Sequence, residues 1–267
     1  MKKVYLALTV TVLITFTSGC VSSNRSRLDI WHNLKAAELI GRQQLEEAKE
    51  RTVGMNIYIL QISSDKLTEL QDILNQATVL PVKYNASDAF WANGFASCGG
   101  GKNDWQKINK FLSDSQFKIE KSIGLYAVEN IAEDVVVAET SQSVSILYRS
   151  EPPATAGIGL EAGSFALRLT AKPVIGLRGV CKLDIRPVYK IGFEKSERKN
   201  ARSEFVFDAA GMSVQIRPGQ FVLLGPGSIK SPSNNMQTIG DLMFWSRNSE
   251  KVINLYLIAC NLIKEPL

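Results

Sequence analysis

Hydrophobic positions recur along this chain with two different periods, which separate early helices from later strands. Over residues 30–52 apolar residues return every three or four positions, which predicts an amphipathic helix that ends at Thr52-Val53-Gly54. Its apolar stripe comprises Trp31, Leu34, Ala37, Gly41, Leu45 and Ala48. A second helix is predicted over about 65–77, capped by Ser63-Ser64-Asp65 and buried through Leu67, Leu70, Leu74 and Ala77. A third is predicted to begin at the cap pair Asn103 and Gln106, with Trp105, Ile108 and Leu112 as its stripe.

The remainder of the chain has the patterns of β-strands. Early strands are predicted at Asn56–Ile62 and at 89–97, followed by a loop at Cys98–Lys102. From residue 116 onward the predicted strands cover roughly 117–128, 133–138, 143–148, 164–175, 179–189, 204–208, 212–217, 220–224, 240–245 and 251–263. The fold class is therefore α+β, dominated by β: an N-terminal tether helix, two short helices, then a mostly antiparallel strand-rich core.

Two strands show how the core is arranged. In the first, Leu167, Leu169 and Ala171 alternate with polar residues, which predicts a sheet with one solvated face. In the second, Leu255–Ala259 is continuously apolar, which predicts a strand covered on both faces.

The first twenty residues predict export. A basic start at Lys2-Lys3 is followed by an uncharged stretch, Val4 to Thr17, too short to span the roughly 30 Å hydrocarbon layer. The stretch closes at Cys20 and resembles a bacterial lipobox, in which the cysteine becomes the lipid-bearing N-terminus. Many such lipoproteins that stay at the inner membrane have aspartate directly after the lipidated cysteine. This chain has Val21 at that position, so the resemblance implies the outer membrane. The alternative is ordinary cleavage that releases a soluble periplasmic protein.

This export signal gives the predicted organisation: a signal peptide over 1–19, a lipidated tether and helix over 20–54, and one β-rich domain over 55–267. The formal charge of +5 comes without a long basic run, which argues against a nucleic-acid partner. Cys98, Cys181 and Cys260 allow one disulfide, but Cys181 and Cys260 lie in apolar runs and are better explained as buried hydrophobes.

Candidate catalytic chemistry is sparse. His32 is the only histidine and has no triad motif around it, and no metal-ligand or cofactor motif occurs. Gly99-Gly100-Gly101-Lys102 lacks the other residues of a phosphate loop, so a flexible surface turn is expected there. Ser63 and Lys66 match a Ser-x-x-Lys pair at a helix start, but the partner motifs of penicillin-binding enzymes are missing. We therefore expect no enzyme activity; an envelope enzyme using Ser63 and Lys66 remains as one alternative.

The order of motifs from about 55 to 263 resembles the C-terminal domain of secretins, the outer-membrane ring channels of secretion systems and type IV pili. The best match is an alternating strand ending at Pro173, a turn, and a second strand, Val180–Pro187. Val214–Gly225 then resembles the segment around the family's glycine–glutamine turn, and Ile239–Phe244 resembles its "G-x-L-F" motif. Pro218, Phe221 and Pro226 depart from the pattern, and the ring-forming domains that precede the secretin core are replaced by one helix.

The resemblance implies a lipid-anchored homo-oligomeric ring that exports protein or pilus with secretion partners and needs no cofactor or metal. It implies turn or assembly roles at Pro173, Pro187, Gly219, Gln220, Gly225 and Gly240, with lipidation at Cys20. A second hypothesis keeps the fold in a non-channel accessory or interaction lipoprotein.

Overall fold

The computed structural model describes residues 51–76, 80–151, 154–192, 204–227, 237–246 and 251–264. The strands in these ranges are β1 (Thr52–Ser63), β2 (Val82–Tyr84), β3 (Phe95–Gly100), β4 (Lys118–Val128), β5 (Ala132–Thr140), β6 (Val144–Ser150), β7 (Ala154–Leu160), β8 (Gly163–Pro173), β9 (Cys181–Ile191), β10 (Glu204–Val206), β11 (Met212–Ile216), β12 (Phe221–Pro226) and β13 (Val252–Lys264). The α-helices are α1 (Leu67–Gln76), α2 (Ser87–Ala92), α3 (Lys102–Asp114) and α4 (Ile239–Phe244), and short 3₁₀ turns cover Ser64–Lys66 and Asp208–Ala210.

Three antiparallel sheets organise these strands. The first sheet has the order β3-β12-β13-β1-β4, and the second has the order β2-β11-β9-β8-β5, with β10 also paired to β9. The hairpin β6–β7 forms a third, two-stranded sheet. The predicted class, α+β dominated by antiparallel β structure, is confirmed.

The centre of the first sheet is buried on both faces. β1 pairs with β13 on one side and β4 on the other, with Ile57 opposite both Ile258 and Ile123. Helices α1 and α3 cover one face: Leu70 and Leu74 pack at Gly225, where an added Cβ would lie 3.3 Å from Leu74. Continuous apolar sequence in β1 and β13 is thus explained by cover on both sides.

Helix α4 covers the opposite face of this sheet. Its Phe244 ring lies 5.3 Å from Phe95 of β3 and 5.3 Å from Tyr256 of β13. The helix begins at Thr238, whose hydroxyl accepts from the Asp241 N–H while the Asp241 carboxylate accepts from the Thr238 N–H. This reciprocal cap fixes a short helix at that place.

The second sheet follows the predicted alternation. Leu167, Leu169 and Ala171 of β8 are buried, whereas Arg168 and its polar neighbours are half-buried. Gly163, at the start of β8, allows the two backbones to approach, since a Cβ there would lie 2.2 Å from the Lys190 carbonyl oxygen. Only glycine, which has no Cβ, therefore fits at position 163.

Several predicted elements are wrong. Thr52–Gly54 do not end a helix but open β1, and residues 30–50 lie outside the described residues. In the segment predicted as a strand at 89–97, residues 89–92 belong to helix α2, and only residues 95–97 are a strand, as the start of β3. Residues 240–245, predicted as a strand, are mostly α4. At 240–245 an apolar run was assigned period two although the Thr238–Asp241 cap favours a helix, and in α2 the Phe90 ring packs against Tyr84 and Phe95.

The predicted loop at Cys98–Lys102 is also wrong. Cys98–Gly100 belong to the buried strand β3, and Lys102 opens α3. Gly100 suits this strand because a Cβ would lie 2.5 Å from the Cβ of Asp104. The helix cap differs as well: the Gly101 N–H donates to the Asp104 carboxylate at 3.1 Å, so the predicted Asn103–Gln106 pair is not the cap.

Candidate functional site

Several of the described strands pair with one other strand only, and β4, β5 and β7 are among them. β4 pairs with β1 alone, β5 pairs with β8 alone, and β7 pairs with β6 alone among the residues described. We call these the open edges. Unpaired N–H and C=O groups along such an edge are a template for another strand, and most proteins guard them with charge, proline or a covering loop.

The β7 edge is the least guarded of the three. Its sequence, Ala154–Leu160, holds no charged residue and no proline, and Ala154–Gly157 are exposed. A Cβ at Gly157 or Gly159 would meet nothing within 4 Å, so packing inside the chain does not require glycine there. Glycines in a strand often mark the close approach of another backbone.

The β6–β7 hairpin is attached through β6 to α2, to the 3₁₀ turn Asp208–Ala210 and to Gln237; we call the described chain apart from this hairpin the body. Buried Asn93, at the end of α2, accepts from the Arg149 N–H at 2.9 Å and donates to the Arg149 carbonyl at 2.8 Å. The Leu147 N–H donates to the Gln237 carbonyl, and the Ala209 N–H donates to the Tyr148 hydroxyl at 3.1 Å. This side of the hairpin is held, so β7 stays outermost.

The open edge of β5 is fixed to its sheet by charge. Arg168 donates to both carboxylate oxygens of Asp134, at 2.7 and 2.8 Å, and to both of Glu204, at 3.0 and 2.7 Å. Lys190 lies 2.8 Å from Asp134. The Arg168 hydrogen bonds hold the pKa of Asp134 and that of Glu204 below their ordinary values.

A cleft of about 1090 Å³ lies between the first and second sheets, beside β5. On the first sheet Gln61 donates to Glu120 at 2.8 Å and to Asn254 at 3.3 Å. On the opposite wall the Tyr189 hydroxyl donates to the Glu161 carbonyl and accepts from the Thr140 hydroxyl at 2.8 Å. Part of the polar lining, namely Gln61, Glu120, Asn254 and Thr140, is thus engaged in bonds between strands.

The three thiols in the described part of the chain lie inside the fold. Cys98, Cys181 and Cys260 are free and buried, in accord with the preferred interpretation of Cys181 and Cys260 as hydrophobes. Burial raises the pKa of Cys98 and that of Cys181 to about 12, and raises that of Cys260 as well. Thiols of this kind remain protonated and are poor nucleophiles.

The residues of the candidate Ser-x-x-Lys pair lie at the end of β1. Exposed Ser63 precedes the 3₁₀ turn Ser64–Lys66 and makes no side-chain capping bond, so the predicted capping by Ser63 is wrong. The Lys66 ammonium lies 3.3 Å from Glu69. Within the described ranges no group of three or more His, Cys, Asp or Glu side chains is placed to hold a metal ion. Nor is any helix there long and apolar enough to cross a bilayer.

The six positions singled out by the secretin resemblance lie in three places. Pro173 ends β8 opposite Cys181, and Pro187 lies in β9 opposite Leu167. Gly219, with φ +83°, and Gln220 form the turn before β12. The Gly219 N–H donates to the Cys260 carbonyl of β13, and the Cys260 N–H donates to the Gln220 carbonyl.

The other two positions are sites of close packing. Gly225 lies in β12 under α1, and Gly240 lies in α4 against Gly94, whose carbonyl oxygen would be 2.2 Å from an added Cβ. Gly219, Gln220, Gly225 and Gly240 thus shape a turn and close packing within the chain, whereas Pro173 and Pro187 lie in paired strands. Cys20 lies outside the described residues.

Sequence reasoning missed two elements of the site. β7 was not predicted because its small residues and glycines resemble a loop. The helix α4 has a Thr-x-x-Asp start, Thr238 to Asp241, and this capping signal would have identified it.

Comparison with known proteins gives structural neighbours alone. No family model matches the chain, and no curated protein matches it. Among solved structures, the chain is similar to the secretin domain β-barrel of InvG from the Salmonella SPI-1 injectisome, at 10% identity and a TM-score of 0.25 over 88% of this chain and 69% of that one. It is also similar to InvG in a near-atomic cryo-EM structure of that secretin and in an atomic model of the basal-body proteins InvG, PrgH and PrgK. Each match has 13% identity and a TM-score of 0.25 over 88% of this chain, and they cover 71% and 50% of the other chain respectively. No residue role is carried over at this level of similarity.

Proposed function

We propose that this chain is a lipid-anchored outer-membrane protein with a secretin-like core that assembles with copies of itself and takes part in protein or pilus export. The motif order from β1 to β13 supports this proposal. So does the β7 edge, which is uncharged, exposed and held outward by β6.

The β7 edge carries the argument. A monomer with such an uncovered edge would be prone to random pairing with the edge strands of other chains. We therefore expect β7 to have one defined partner strand. The chain also has different open edges on β4 and β5. Two unlike edges on one subunit permit head-to-tail contacts, and contacts of that type close into a ring when the rotation closes.

The proposed role needs no catalytic residue. Several polar side chains of the cleft are engaged in bonds between strands, and burial raises the pKa of the described thiols, which keeps them protonated. We therefore assign the function to surfaces that pair.

The size of the assembly tests this proposal. The full chain is extracted from membranes in mild detergent without heating and sized by light scattering. We expect a species many times the 29.5 kDa mass of one chain. A species near the monomer mass contradicts the ring and favours the accessory lipoprotein.

A charged β7 variant makes this test specific. The double change Ala156→Lys with Gly157→Lys places two positive charges on the β7 edge, so the large species should fall to monomer. The matched control is Ser145→Lys, an exposed position on β6 of the same hairpin, which should leave the assembly intact. Equal effects of the two variants would remove β7 from the contact.

The lipid anchor is tested by Cys20→Ala. Without a lipid-bearing cysteine the protein should leave the membrane fraction, whereas Ser22→Ala should not change its distribution. A Cys20→Ala protein that remains in membranes would contradict the anchor.

A further inference from the structure

The β8–β9 loop, residues 174–180, carries the most exposed large apolar side chain of the described residues. Ile175 is 98% exposed, and Leu177, two positions later, is 43% exposed. Isoleucine and leucine are among the residue types most often buried in folded proteins. Two of them at the tip of one loop offer apolar surface to another molecule.

The exposure of Ile175 is built into the fold. The Leu177 N–H donates to the Val174 carbonyl, and Gly176 has φ +82°, which is the geometry of a turn with glycine at its third position. Val180 is buried, and the strands on either side of the loop are paired with each other. Ile175 therefore projects from a defined turn whose two ends are both fixed.

A second turn with exposed apolar residues lies beside this loop. In the β4–β5 turn the Asn130 N–H donates to the carbonyl of Ala171, near the end of β8, at 2.8 Å. Ile131, which follows, is 50% exposed, and Tyr126 of β4 is 40% exposed. Among the described residues the one other large apolar side chain that is exposed is Trp91, on α2. Exposed apolar surface is thus concentrated around the β8–β9 loop.

Positive charge exceeds negative charge at the base of the loop. Lys172 of β8 lies directly opposite Lys182 of β9, and their ammonium groups lie 2.6 and 3.4 Å from the single carboxylate of Asp184. Exposed Arg178 adds a third cation within the loop itself. Like charges opposite each other on paired strands are destabilising, so an anionic surface outside the chain would offset their repulsion.

The neighbouring Arg51 does not add to this surplus. A groove of about 410 Å³, lined by Arg51 and residues 173–178, lies beside the loop. The Arg51 guanidinium lies 4.0 Å from the Glu129 carboxylate, so the two charges offset each other. The excess therefore comes from the loop and the strand ends that carry it.

The spacing between the apolar tip and the charged base matches the surface of a bilayer. Ile175 lies three positions after Lys172, so their Cα atoms are at most about 10–11 Å apart. The headgroup layer on one side of a bilayer is roughly 5–8 Å thick. Ile175 can therefore reach the acyl chains while the ammonium groups remain among the headgroups.

We propose that the β8–β9 loop is a membrane-contacting tip, which inserts Ile175 and Leu177 into a bilayer that has anionic headgroups. Apolar burial and attraction to anionic lipids act together in such contacts. A second copy that offered the same loop would bring the same positive charge, so the cation surplus favours lipid over a symmetric pair. The contact goes beyond the proposed anchor at Cys20, and it does not require a ring.

Fluorescence quenching in the full chain tests the contact. Ile175→Cys is labelled with a fluorophore, and the protein is reconstituted into vesicles of phosphatidylethanolamine and phosphatidylglycerol. We expect a nitroxide-bearing lipid to quench this label and dissolved acrylamide to leave it bright. The same label on Ser145→Cys, an exposed position of β6, should show the reverse. The parent chain, treated in the same way, gives the background from the native cysteines.

Two outcomes of this experiment overturn the proposal. Acrylamide quenching at 175 equal to that at 145 would show that the tip stays in water. Protection of the 175 label from both quenchers would show that a protein surface covers the loop. Neither outcome depends on lipidation, because the membrane fraction of Cys20→Ala reports the anchor separately.

The role of the cations has its own test. Quenching of the 175 label by the nitroxide lipid should fall when phosphatidylcholine replaces phosphatidylglycerol, because the headgroups then carry no net charge. In the anionic vesicles it should also fall in the double variant Lys172→Gln with Arg178→Gln. This variant retains the contact between Lys182 and Asp184.

The matched control removes the same amount of charge from another surface. Lys107→Gln with Lys110→Gln changes two exposed positions of α3 and should leave the quenching at 175 unchanged. Equal losses in the two double variants would overturn the assignment of lipid binding to the cations of the loop.

Discussion

β1 and β7 are both strands of uncharged and mostly apolar residues, yet they occupy opposite environments. β1 has a partner strand on each side and is buried on both faces over most of its length. β7 has one partner and is largely exposed. The contrast shows that an uncharged, apolar strand stabilises the fold where it is buried and paired on both sides. Where such a strand is exposed and paired on one side, it is available to contact another chain.

The source of cover explains the difference. β1 lies between β13 and β4, and residues on both of its faces are buried, so its apolar side chains gain contacts inside the chain. The β6–β7 hairpin is attached through one strand only, and its outer strand gains few such contacts. We therefore expect changes in β1 to alter stability and changes in β7 to alter assembly.

The largest effect is expected at the centre of β1. Ile57 is fully buried, so Ile57→Ala should lower the free energy of unfolding by about 2–5 kcal/mol, through lost transfer energy and a cavity. Urea unfolding of the purified body measures the change. Thr155→Ala, at an exposed position of β7, is the control and should stay within about 0.5 kcal/mol. Comparable losses in both variants would break the contrast between the strands.

A smaller effect is expected where the hairpin joins the body. Asn93→Ala leaves the Arg149 N–H and carbonyl without their buried partner and should cost about 1–3 kcal/mol. Hydrogen exchange should then accelerate in β6 while β1 keeps its protection. Ser145→Ala, at an exposed position of β6, should change neither. Equal acceleration in β1 would mean that the hairpin is not a separate unit.

The smallest effect is a pH dependence at the β5 edge. The folded-state pKa of Asp134 lies below its ordinary value of about 4, so its contribution to stability is complete above that pH and is lost as the pH falls through the lower folded-state pKa. Asp134→Asn should cost about 1 kcal/mol near pH 7.

The difference between parent and Asp134→Asn should shrink toward pH 2, as measured by urea unfolding at each pH. Exposed Glu139→Gln on the same strand is the control and should give no such convergence. A gap that stays constant with pH would show that the Arg168 pair does not stabilise β5 through charge.

The sequence predicted strands well where apolar residues alternate or run continuously. β8 and β13 illustrate this, since Leu167, Leu169 and Leu255–Ala259 are buried as their patterns require. It failed at α2 and α4, where short apolar segments carry no clear period and a cap or a neighbouring ring decides the conformation. It failed at β3 because Gly99 and Gly100 look like a turn until the crowding of α3 and β12 is known.

The candidate site was predictable only in part. The likeness of Pro173–Pro187 and Val214–Gly225 to secretin motifs came from residues near in sequence, and these lie in turns and packed strands of one chain. The open edges and the exposure of Ile175 could not be predicted, because each depends on which residues find a partner elsewhere in the fold. Ile175 illustrates the point: its sequence context is ordinary, and only the turn that holds it explains its exposure.

By itself, the sequence determined the fold class, the buried positions of β8 and β13, and the burial of Cys181 and Cys260, because side-chain period and hydrophobicity act over a few residues. The tertiary structure decided which strands remain at an edge, how the β6–β7 hairpin is held by Asn93, and that Arg51 and the β8–β9 loop line one groove. These features arise from contacts between residues far apart along the chain, and no local pattern records which of those contacts form.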